Sequence, residues 1–201
     1  MSLCGARPFS GKNEIQRLMG EFQGSFALRD RALVVLGTKT GLRISELLSL
    51  RVGDILGANG RFLDTIHIRR RAMKGKREGR RLPLHPIAKM ALGRWLVERR
   101  RRGSQLDSEA ALFSSRKGGE GKSISRTTAA HLFAAAAERG GLVGGVSTHS
   151  MRKWVASEVY RRSGNCLIKT GAVLGHRQIG TTWRYCAGLA TGAADLLPPD
   201  D

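Results

Sequence analysis

Residues 62–84 read FLDTIHIRRRAMKGKREGRRLPL, and the architecture of the whole chain turns on them. The first part alternates Phe62, Asp64, Ile66 and Ile68 against Leu63, Thr65 and His67, rich in β-branched side chains. A period of two marks a strand rather than a helix. A glycine-containing turn and a returning run, RRLPL over 80–84, complete a hairpin. Without it the chain reads as wholly helical. With it, the expected class is α+β, mostly α-helical, with a small antiparallel sheet early in the chain.

Outward from the hairpin the period changes to that of helices. Upstream, Ile15, Leu18, Met19 and Phe22 recur on one helical face. LRDRALVVLGTKTG (28–41) gives a more buried helix with Gly41 as its C-cap, and RISELLSLRV (43–52) a short third one. Downstream, Pro86 opens PIAKMALGRWLVERRRR, and Ser125 is placed to cap SRTTAAHLFAAAAERGG. STHSMRKWVASEVYRRSG (147–164) and CLIKTGAVLGH (166–176) follow as helices. The glycine-rich stretches 115–123 and 140–145 are short enough to be loops inside one domain. The expectation is therefore a single domain over 1–201, with residues 1–10 a disordered or expression-derived tail.

The chain has 201 residues and a formal charge of +19, from 35 Lys and Arg against 16 Asp and Glu. Such an excess repels itself until a polyanion relieves it, so nucleic acid is the expected partner, with an anionic membrane surface second. No apolar run approaches the ~18 residues that would span a bilayer. The N-terminus lacks a secretion-signal pattern, which points to the cytoplasm. Cys4, Cys166 and Cys186 form neither a zinc pattern nor a disulfide framework. The Gly-Lys-Ser at 121–123 lacks the glycine five places earlier that a phosphate-binding loop needs, since that position is Arg116. It reads as a basic loop.

Three segments concentrate cationic and proton-handling groups. Arg43 follows a glycine turn at a helix start, with Glu46 three residues on. An arginine at the positive end of a helix is poorly placed unless an anion visits. The hairpin carries eight basic residues and one acid: Arg69, Arg70, Arg71, Lys74, Lys76, Arg77, Arg80 and Arg81, with Glu78. That density suits contact with a phosphate backbone. In the third segment His149 and Arg152 are spaced i, i+3 at a helix start, followed by His176 and, nine residues later, Tyr185. Gly180 lies between the last two and is expected to let the chain fold back.

That assortment fits attack on a phosphodiester. Arg43 and Arg152 offer permanent cations with fork geometry for oxygens that gain charge. His149 and His176 can donate hydrogen bonds or move protons near neutrality. Lys74 or Lys76 could protonate a departing sugar oxygen, and Tyr185 is the candidate nucleophile, a phenol of ordinary pKa ~10 that needs cationic surroundings. Nothing in this set calls for a metal or a cofactor.

The same segments resemble the tyrosine recombinase, or phage integrase, family. TGLRISELLSLRVGDI (40–55) is similar to its first arginine box, KGKREGRRLPL (74–84) to its lysine-bearing hairpin, HSMR (149–152) to its His-x-x-Arg, and LGH with a tyrosine nine residues on to its last segment. The likeness runs in order from about Gly11 to Tyr185. It implies a phosphate pocket of Arg43, Lys74, His149, Arg152 and His176, with Tyr185 as nucleophile. It further implies a 3′-phosphotyrosine link to double-stranded DNA, no ATP or obligatory metal, and a tetramer exchanging strands between two DNA sites. The chain departs from the pattern in a longer hairpin and in Lys153-Trp154 after Arg152. The expectation is that the N-terminal core-binding domain common in the family is absent here, as in a catalytic fragment or in short members such as the fimbrial-switch recombinases. Two alternatives share these residues: a non-catalytic DNA-binding accessory protein of the same fold, and a type IB topoisomerase-like nicking enzyme.

Overall fold

The computed structural model describes residues 6–69, 79–176 and 178–186. In order, these form α1 (Lys12–Gly20), α2 (Ala27–Thr40), α3 (Ile44–Ser49), a 3-10 turn (Val52–Asp54), β1 (Thr65–Ile68) and β2 (Arg80–Pro83). Then come α4 (Pro86–Arg101), α5 (Arg126–Arg139), α6 (Thr148–Arg162), α7 (Leu167–Leu174) and α8 (Ile179–Cys186). This is the mostly helical α+β class expected.

Helix α2 is the axis of the fold. It packs against α4 and α6, and its buried residues, from Arg29 to Thr40, lie on every face rather than in one stripe. Ile15 and Leu18 from α1 and Ala88, Leu92 and Trp95 from α4 are buried in the same core, which Phe133 and Ala136 of α5 extend. Helix starts follow local chemistry. Pro86 occupies the first turn of α4, where its missing N–H is no loss, and His85 Nδ1 accepts from the Ile87 N–H at 3.1 Å. Ser125 Oγ accepts from the Thr128 N–H at 2.9 Å, as its cap position predicts.

The sheet pairs Thr65 with Pro83, Ile66 with Leu82, His67 with Arg81 and Ile68 with Arg80. Ile66 and Ile68 are buried and Thr65 and His67 exposed, so the period-two reading holds for these four residues. It does not extend back to Asp64, whose carboxylate turns to the surface and pairs with Lys89 at 2.8 Å. The expected tail also differs: Phe9 is 3% exposed within the main core, and Arg7 forms an ion pair with Glu14. Residues 1–5 lie outside those described.

Val155, Ala156 and Leu174 form a second, small apolar cluster, with Trp154, Val159 and Tyr185 against it. It joins α6, α7 and α8 into a unit beside the end of α2. Gly41 makes the junction. It ends α2 in the left-handed region at φ 63°, and a Cβ there would sit 3.0 Å from both Val155 Cγ1 and Leu174 Cδ2. Gly41→Ala should therefore destabilise the fold by about 1–3 kcal/mol through strain and overpacking. A lower denaturant midpoint at unchanged m-value checks this; an unchanged midpoint contradicts it.

Candidate active site

Arg152 lies at the centre, 1% exposed. Its Nη1 donates to the Gly41 carbonyl and its Nη2 to the Leu174 carbonyl at 2.9 Å. Those carbonyls belong to the ends of α2 and α7, so the guanidinium rests between two helix C-termini, the negative ends of their dipoles. No carboxylate pairs with it among the described residues, and its buried Nε has no hydrogen-bond partner there. The cation is held by main-chain carbonyls rather than by a paired carboxylate.

Arg43 stands at the N-cap of α3. The buried Glu46 side chain accepts from the Arg43 backbone N–H at 2.7 Å and from its guanidinium Nη1 at 3.3 Å. The Arg43 side chain remains 43% exposed against 5% for Glu46, so the carboxylate orients the arginine from beneath and leaves its outer face open. Sequence pairing of the two at i, i+3 is thus real, but with a supporting role for Glu46.

The nucleophile candidate joins two histidines. The Tyr185 hydroxyl lies 2.7 Å from His149 Nε2, and the tyrosine ring centroid is 5.3 Å from His149 and 5.2 Å from His176. The Arg152 guanidinium carbon is 5.9 Å from the centre of the tyrosine ring. His149 is held below the ordinary histidine range, first by desolvation and then by the cations of Arg152, Lys153 and Arg43. In the tautomer whose proton sits on Nδ1, His149 Nε2 can accept the hydrogen bond of the Tyr185 hydroxyl. Burial and the Arg43 charge press the same way on Arg152, lowering its pKa, while Tyr185 and Glu46 favour its charge.

His176 follows Gly175, which ends α7 in the left-handed region at φ 68°. Its Nδ1 is 3.0 Å from the buried Thr182 Oγ1. When that hydroxyl donates, Nε2 carries the ring proton and can donate in turn. The sequence reading missed Thr182, because it did not foresee α8. Thr182 and Tyr185 are i, i+3 on that helix, and its face would have linked them. The reversal expected at Gly180 occurs instead at Gly175, since Gly180 lies within α8 at ordinary helical φ.

The hairpin cations divide. Lys74, Lys76, Arg70, Arg71 and Arg77 lie outside the described residues. Arg69, expected on a phosphate backbone, is held by Asp54 Oδ1 at 2.8 Å and by both Glu109 oxygens at 2.8 and 2.9 Å. These carboxylates raise its pKa and clasp the hairpin base to the 3-10 turn. Arg81 is exposed opposite His67. Arg80 turns inward and donates to the backbone of α7.

Among solved structures the chain has the fold of tyrosine recombinases. It superposes on XerA recombinase with a TM-score of 0.70 at 22% identity, covering 98% of this chain and 62% of that one. For XerH bound to a palindromic difH substrate the TM-score is 0.69 at 22% identity, with 92% and 50% coverage. The phage integrase family profile matches residues 9–190, and the chain belongs to that family. It is 35% identical over 167 residues to the tyrosine recombinase XerD of Mycobacterium tuberculosis, covering 81% of this chain and 49% of the relative. With the XerC of Herpetosiphon aurantiacus it shares 32% over 173 residues, at 86% and 52% coverage. The chain spans about half the length of these curated relatives.

Lys153, next to Arg152 in the chain, is one of the cations acting on His149. Removing a like charge favours the imidazolium, so Lys153→Gln should raise the His149 pKa, as followed by NMR titration. No change, or a fall, contradicts this electrostatic account.

Proposed function

We propose that this chain is the catalytic domain of a site-specific DNA recombinase, cleaving and rejoining double-stranded DNA through a 3′-phosphotyrosine. The observation that carries the reading is the Tyr185 hydroxyl 2.7 Å from His149 Nε2, beside the buried Arg152. Tyr185 Oη gives its proton to His149 Nε2 and attacks phosphorus. Its O–P bond forms as the bond from phosphorus to the 5′ oxygen breaks. Arg43 and Arg152 hold the non-bridging oxygens, where charge accumulates in the transition state. His176 donates to the same phosphate. The departing 5′ oxygen takes a proton from a hairpin lysine, Lys74 or Lys76, and that hydroxyl later attacks the phosphotyrosine of a partner duplex. Energy kept in the phosphotyrosine bond means that the cycle draws on no ATP.

No helix among the described residues is long and apolar enough to cross a membrane. We place the protein in the cytoplasm, acting as a tetramer on two DNA sites. Support for DNA as the partner comes from neighbours of the same fold solved on DNA, XerH on difH and λ integrase as a dimer on a COC′ core site.

A nicked duplex that loses its 5′ fragment after cleavage traps the covalent intermediate. With wild-type protein it should yield a detergent-stable adduct, absent with Tyr185→Phe. No adduct across a library of sites favours the accessory-protein reading. Relaxed plasmid without recombinants favours the nicking enzyme. DNA affinity should also fall by on the order of 10³-fold between 50 and 200 mM salt if phosphates dominate binding. Affinity that barely changes with salt contradicts that.

A further inference from the structure

Arg80 and Arg81 are adjacent, equally basic, and expected together on DNA, yet the strand sends them to opposite faces. In the register, Arg80 stands opposite the buried Ile68 and Arg81 opposite the exposed His67. Cross-strand partners share a face, so Arg80 leaves the sheet on the core side and Arg81 on the solvent side. Arg80 then reaches across to the end of α7, where its Nη2 donates to the Val173 carbonyl and stands 3.5 Å from that of Ala172.

The end of a helix leaves four carbonyls without intrahelical donors. In α7 each of the four finds a partner. The His176 N–H donates to Gly171 O at 2.9 Å and the Gly175 N–H to Ala172 O at 3.1 Å, the pairing that a left-handed glycine cap provides. Val173 O accepts from Arg80 and Leu174 O from Arg152. Two arginines from opposite sides, one on the hairpin and one on α6, therefore hold the two carbonyls immediately before Gly175 and His176.

We propose that Arg80 is a positioning residue: through Val173 it ties the hairpin to the end of α7 and sets where His176 stands in the phosphate pocket. This rests on the strand-cleavage reading above. Arg80 is also near enough to Arg43 and Glu46 for their charges to act on it, and burial lowers its pKa. It stands on the core side of the strand, within electrostatic reach of Arg43 and Glu46. The clasp couples two events that would otherwise be independent. A hairpin docked on DNA and a histidine aimed at phosphorus move as one piece. Val173 is 40% exposed, so water can replace the lost bond, and the effect of a substitution should fall on alignment rather than on folding.

Arg80→Gln and Arg81→Gln separate positioning from phosphate contact. Hydrogen exchange at the Gly175 and His176 amides of the free protein should quicken in Arg80→Gln and stay unchanged in Arg81→Gln. The salt slope of DNA binding should fall by ~0.9 in Arg81→Gln and hold in Arg80→Gln. Single-turnover cleavage should drop by about 10- to 100-fold in Arg80→Gln, the scale of a small misplacement, with partial recovery in Arg80→Lys. In a His176→Ala background Arg80→Gln should add no further loss. A reduced salt slope with unchanged exchange in Arg80→Gln would overturn the proposal, and so would losses that multiply with those of His176→Ala. If the wild-type protein cleaves no DNA, the functional reading fails while the exchange experiment still decides whether Arg80 clasps α7.

Discussion

The structure depends on one buried cation. Removing a guanidinium from water is strongly unfavourable unless its donors are met, and a carboxylate is the usual remedy. Here the partners of Arg152 are main-chain carbonyls at the ends of α2 and α7. Two helix termini carry partial negative charge, and that is what holds the cation in place of a carboxylate. The geometry follows from that choice. The ends of two helices far apart in the chain are drawn together, Gly41 has to be small enough for the approach, and the tyrosine ring settles over the same charge.

A further cation, Arg43, stands within electrostatic reach of this one. Arg43, Arg80, Arg152 and Lys153 act on one another or on His149, with Glu46 as the opposing acid among the groups that act on them. Burial and the cations together disfavour the charged form of His149. The same excess of positive charge suits an anion such as a phosphodiester.

Features fixed by local chemistry were legible in the sequence. Pro86 tolerates a first helical turn, Ser125 caps, and Gly41 adopts φ 63°, each because of what the residue itself can do. Arg43, His149, Arg152, His176 and Tyr185 were also legible, by type and order. Features decided by distant partners were not. Helix α8, with a glycine and two threonines in eight residues, has weak intrinsic propensity and gains its form from α6 and α7. The separate duties of Arg80 and Arg81 depend on a register that a one-residue slip would exchange. Arg69 looked like its basic neighbours until Asp54 and Glu109 appeared beside it.

The most direct measurement is a crystal structure of the protein on a nicked site with vanadate in place of the scissile phosphate. Vanadate adopts the five-coordinate geometry of the reaction's midpoint. The account predicts Tyr185 Oη at an apical position opposite the 5′ oxygen, with Arg43, Arg152 and His176 on the equatorial oxygens. An apical water, with Tyr185 turned away and either arginine bound elsewhere, would contradict it.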